Sequence, residues 1–112
     1  MSACWLAQHH AGPCLTRADG QYDRAHLIPQ RRIKATLRSR GYSAEQIHAA
    51  LADPRNIVYA CRKHHGLLDG KAIRLRASDY PPELHEFAAE YGFAYDEGRC
   101  EWFALAERKE AA

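Results

Sequence analysis

Asp53-Pro-Arg-Asn-Ile-Val-Tyr-Ala-Cys-Arg-Lys-His-His-Gly-Leu-Leu-Asp69 concentrates the chemistry of this 112-residue chain. Ile57, Val58 and Tyr59 are β-branched or aromatic, so Asn56 to Ala60 reads as a strand. Cys61 and His64 follow with the C-x-x-H spacing of half a zinc knuckle, in which two ligands on a tight turn meet one metal. A helix from Arg62 to Leu68, stopped by Gly70, completes the segment. Consecutive side chains leave a helix axis about 100° apart, so His64 can face a structural metal while His65 faces a second site.

Working upstream, Tyr22-Asp-Arg-Ala-His-Leu-Ile-Pro29 supplies His26 followed by an apolar pair and a proline, and Gln21 to Leu27 alternates enough to form a strand after an Asp19-Gly20 turn. Two antiparallel strands followed by the helix make a ββα unit. The pattern A-H-L-I-P, then N-x-x-x-x-C-x-x-H-H, resembles the HNH endonuclease family, whose second half usually reads N-x-x-x-x-C-x-x-C-H. The match covers residues 4–69.

That resemblance implies an α+β fold with a ββα-metal core and a zinc knuckle. It also implies a metal-dependent endonuclease acting on DNA or RNA, of a type common in phages and mobile elements. His26 would be the general base and His65 a ligand of a catalytic Mg²⁺, Mn²⁺, Ni²⁺ or Zn²⁺. Asn56 would orient the base or brace the hairpin. Cys4 and Cys14 would complete a structural zinc site with Cys61 and His64. Nine residues separate Cys4 from Cys14 where the family has C-x-x-C, so His9 or His10 can stand in for one of them. Ala25 occupies the position before the base where many members carry a metal-binding residue. Asp23, on the same strand face, and Asp69, one helical turn beyond His65, are the candidates to supply that oxygen ligand. The reading from another class keeps the fold without cleavage, as a zinc-stabilised nucleic-acid-binding module.

Between the strands, Ile33 and Leu37 fall at helical spacing in Gln30 to Arg40, and Ser43-Ala-Glu-Gln46 is a capping-box pattern that opens a second helix through Leu51. An αα-hairpin inserted over 30–52 is expected. From Arg24 to Arg40 the chain carries Arg24, Arg31, Arg32, Lys34, Arg38 and Arg40 without an acidic residue. Arg24, Arg31, Arg32, Lys34 and Arg38 are the candidate phosphate contacts, because local positive charge releases counterions from a nucleic-acid backbone. The net charge of the whole chain is only +2, so the signal is local.

The length suits one domain, near the lower limit for a single core, where a metal staple helps. No run is apolar enough to cross a membrane, and His9, His10 and Pro13 interrupt the first segment, so neither a span nor a signal peptide is expected. A cytoplasmic setting follows, where four cysteines serve as ligands or thiols. The remainder, 70–112, is expected to be a helical cover. A short strand is predicted at Lys71 to Arg76, and a helix opens at Pro81-Pro82 with Leu84, Phe87, Ala88 and Tyr91 on one face. A tail holding Cys100, Trp102 and Phe103 reads as a last helix or a subunit contact, and the oligomeric state stays open.

Overall fold

The computed structural model describes residues 4–10, 12–15 and 20–105. Strands β1 (Asp23–His26) and β2 (Ile57–Ala60) pair antiparallel, with Asp23 opposite Ala60 and His26 opposite Ile57. Alternation puts Ala25 and Ala60 in the core, while Arg24 and its cross-strand neighbour Tyr59 are exposed. A 3-10 turn at Trp5–Gln8 packs on β2, and helix α3 (Arg62–Asp69) packs on β1.

Both strands are shorter than the sequence predicts, and at the His26 end of the pair Asn56 is the reason. It closes a 3-10 turn, Pro54–Asn56, instead of lying on the strand. Its carbonyl accepts from the Leu27 N–H at 3.0 Å, and its side chain takes both backbone groups of Ile28, accepting from N–H at 2.7 Å and donating to C=O at 3.0 Å. The chain after His26 therefore leaves the ladder to bond with one residue. Arg55 fixes the turn from outside, reaching Asp53 at 2.7 Å and Glu90 at 2.8 Å.

Helices α1 (Gln30–Ser39) and α2 (Ala44–Leu51) form a hairpin between β1 and β2, where the sequence predicts one. α1 buries Ile33 and Leu37, and α2 buries Ile47 and Ala50. Gly41, at φ 85°, ends α1 with Tyr42 N–H on the Leu37 carbonyl and Gly41 N–H on the Arg38 carbonyl, a reversal that needs a left-handed residue. Ser43 and Gln46 cap α2 reciprocally, at 3.1 and 2.8 Å.

The C-terminal third departs from expectation. Lys71 to Arg76 is irregular, because Lys71 turns back at φ 64° and Ile73 and Leu75 are buried from a loop. Helix α4 (Pro82–Tyr91) buries Leu84, Phe87 and Ala88, but among the described residues no second helix follows. Instead β3 (Phe93–Asp96) and β4 (Glu101–Ala104) pair antiparallel, with Tyr95 opposite Trp102. Phe93, Tyr95 and Trp102 share one face of this ribbon, so the aromatic residues follow a period of two and not 3.6. Tyr80, Tyr95 and Trp102 make an edge-on aromatic cluster with centroids about 5 Å apart. Arg40 is engaged within the fold. Its guanidinium donates to the carbonyls of Tyr91, Gly92 and Leu105 and ties the helical hairpin to the β3–β4 ribbon.

One buried cluster runs from Leu6 through Ile28, Ile33 and Leu37 to Phe87 and Trp102. Among the described residues no helix is long and apolar enough to cross a membrane. Of the turn expected at Asp19-Gly20, Asp19 lies outside the described residues, as does the tail from 106 to 112.

Candidate metal centre and adjoining groove

Cys4, Cys14, Cys61 and His64 come together with their ligand atoms all within 4.8 Å of one another. The three sulfurs lie 3.6, 3.8 and 3.3 Å from His64 Nδ1, in that order. With Zn–S of about 2.3 Å and Zn–N of about 2.0–2.1 Å, a tetrahedral site has S···N edges of about 3.6 Å. The three sulfur-to-nitrogen edges thus match that size, and the cluster could hold a metal ion such as zinc. Their chemistry fits as well, since three thiols and an imidazole are the soft and borderline donors that such an ion takes.

Local structure prepares these donors. Cys61 is the N-cap of α3, and its sulfur accepts from the His64 N–H at 3.3 Å. Cys4 Sγ accepts from the Cys61 N–H at 3.2 Å. Burial pushes the Cys4 thiol up, against the pull of the backbone N–H groups of Cys61 and Ala7. Burial pushes Cys61 up too, but the N–H groups of His64 and Leu15 and the neighbouring thiols outweigh it, and the net shift is down. For His64, burial first, then the charges of His10 and Lys63, lowers the pKa and keeps the imidazole neutral, as a ligand must be.

His64 is fully buried, and its Nε2 has no hydrogen-bond partner among the described residues. His10 lies edge-on against its ring at 5.5 Å. His9 instead packs on Trp5 at 4.7 Å, with Nδ1 4.0 Å from Asp79. Neither belongs to the four-residue cluster.

On the other side of α3 an open groove of ≈ 820 Å³ is lined by both His26 and His65. His26 Nε2 is 2.8 Å from the Leu51 carbonyl, which can only accept, so that nitrogen carries the proton. Nδ1 is then the acceptor, and the Gln30 amide donates to it at 3.2 Å. His65 Nδ1 donates to the Asp23 carboxylate at 2.9 Å, since a carboxylate can only accept. The His65 Nε2 is 3.5 Å from Asp69 Oδ2. Asp23 therefore faces Nδ1 of His65, and Asp69 faces Nε2.

Arg24, Arg31, Arg32 and Lys71 also line the groove, with Asp69 and Glu101 among them. Lys71 is ion-paired with Glu101. Lys34 and Arg38 lie elsewhere, beside Tyr42 and His48 in a smaller hollow of ≈ 340 Å³ on the helical hairpin. Asn56 does not line the groove, since its side chain is occupied by Ile28.

Reading the sequence missed Gln30, the Leu51 carbonyl, Lys71 and Glu101. None of these carries a motif signal, because each reaches the groove only through the path of the chain. Comparison with protein-family models, with curated proteins and with solved structures found no match.

Proposed function

We propose that the protein is a metal-dependent endonuclease of the HNH type that hydrolyses phosphodiester bonds in DNA, with the Cys4, Cys14, Cys61 and His64 cluster as its structural zinc site. The observation that carries this reading is that His26 and His65, more than thirty positions apart in the chain, line one groove together with Arg24, Arg31 and Arg32. The antiparallel pair β1–β2 followed by α3 is the arrangement that a ββα-metal core requires.

Phosphodiester hydrolysis needs a proton acceptor for water and a means of spreading charge over the phosphate oxygens. The Leu51 carbonyl fixes the tautomer of His26, so Nδ1 is ready to take the proton from a water that displaces the Gln30 amide. The water oxygen bonds to phosphorus as one of its protons passes to His26, and the opposite P–O bond breaks with its electron pair on the departing oxygen, which takes a proton from solvent. Arg24, Arg31 and Arg32 draw the phosphate in by charge. His65 Nε2 and Asp69 would hold a divalent cation, with Asp23 orienting His65 from behind in a carboxylate–histidine relay. Such a cation, when bound, neutralises charge on the phosphate and on the departing oxygen. Asn56 braces the strand end that carries His26.

A second reading, a nucleic-acid-binding module without cleavage, has its own support. Ala25 offers no ligand, and among the described residues the only cluster of three or more metal donors is the Cys3His one. Plasmid cleavage assayed across Mg²⁺, Mn²⁺, Ni²⁺ and Zn²⁺ separates the two. The nuclease reading expects metal-dependent cleavage that His26→Ala lowers by about 10²–10⁴-fold. Salt-sensitive binding with no cleavage in any metal would favour the binding module.

A further inference from the structure

The face of the β1–β2 pair that carries His26 also carries Arg24, Ile57 and Tyr59, because cross-strand partners point the same way. Gln30 and the Leu51 carbonyl hold the His26 end of this face. At the other end Tyr59 is left 55% exposed, directly across from the exposed Arg24, which lines the groove. A strand from the core of a small domain thus presents its one aromatic ring to solvent, next to a cation and two strand positions from His26 along β1.

We propose that Tyr59 and Arg24 form a nucleotide-recognition step, in which the ring stacks on an unpaired base while the guanidinium holds the adjoining phosphate. The preferred substrate is then single-stranded or locally unpaired nucleic acid. This rests on the reading of the groove as a nucleic-acid site and adds the substrate class. The chemistry is specific on two counts. Every base has a π-face that a tyrosine can stack on, and in a closed duplex that face is covered by the neighbouring base pairs. Charge alone, in contrast, favours the more densely charged duplex. Arg31 and Arg32, one helix away in the same groove, supply the charge that continues the phosphate path.

The test is fluorescence anisotropy with a labelled single-stranded oligonucleotide and the duplex of the same sequence, on the zinc-loaded His26→Ala protein so that nothing is cut. Tyr59→Ala, Tyr59→Phe and Arg24→Gln are made in that background. The expected result is tighter binding of the single strand and a loss of about tenfold with Tyr59→Ala on the single strand alone. Tyr59→Phe should keep the affinity, since it keeps the stacking ring. Arg24→Gln should weaken both substrates and flatten the salt dependence. Unchanged single-strand affinity in Tyr59→Ala, or an equal loss on duplex and single strand, would overturn the proposal while leaving the groove as a nucleic-acid site. Absence of binding to either oligonucleotide would overturn it together with the reading of the groove. Thermal melting and zinc content of Tyr59→Ala, matched to the parent, verify that the fold is kept.

Discussion

His64 and His65 are neighbours on one helix and live in two different media. His64 is fully buried among three sulfurs, with a lowered pKa whose first cause is burial. His65 borders an open groove and is held between two carboxylates, Asp23 and Asp69. The helical turn of about 100° per residue makes this separation unavoidable once α3 packs against β1 and the Trp5–Gln8 turn. One face of α3 is built to be closed and the other to be reached. The difference teaches that adjacent identical residues can carry unlike chemistry when burial, and not residue type, sets their state.

The largest effect should come from the closed face. A structural zinc is worth about 10–16 kcal/mol of folding free energy, against a total stability of about 5–15 kcal/mol for an ordinary domain. Stripping the metal with a strong chelator, or replacing Cys61 by Ser, should therefore unfold the protein, as read by loss of the cooperative thermal transition. A chelated protein that melts as before would break the comparison at its root. Asn56→Ala comes next. It leaves the N–H and C=O of Ile28 without partners in the core, at about 1–3 kcal/mol each, so stability should fall by about 2–6 kcal/mol in urea titrations while the zinc stays bound. On the open face Asp23→Asn should do least to the fold. It removes the carboxylate that sets the His65 ring, so catalytic-metal affinity or cleavage should fall by about 10–100-fold with the melting temperature nearly unchanged. An Asp23→Asn protein that melts well below wild type would mean that the pair is structural.

Local elements were legible in the sequence where a single short-range rule governs them. The Ser43–Gln46 capping box, the Gly41 stop and the apolar spacing of Ile33 and Leu37 each needed only a few neighbouring residues. The Cys61–His64 turn was legible for the same reason, whereas Cys4 and Cys14 came from the family resemblance, with His9 and His10 left as alternatives that only the fold excludes from the cluster. What escaped is governed at long range. Asn56 reads as a strand residue until Ile28 is known to need its side chain. Arg40 reads as one more basic residue until the carbonyls of Tyr91, Gly92 and Leu105 converge on it. The tail's aromatics fit either period when taken one at a time, and only the Tyr95–Trp102 pairing decides for a ribbon. His26, His65 and Asp23 could be named from the pattern, but the Leu51 carbonyl on His26 could not, nor that Asp23 would bond to His65 Nδ1.

One paired measurement separates the roles of the two neighbouring histidines. His64→Ala and His65→Ala are purified in parallel without chelator, and each is assayed for bound zinc, melting temperature and plasmid cleavage. His65→Ala should keep its zinc and melt close to wild type while losing cleavage, because it touches only the open face. His64→Ala should lose zinc and stability first, with activity falling as a consequence. A His65→Ala protein that cleaves at the wild-type rate, or one that sheds zinc while His64→Ala retains it, would contradict the account.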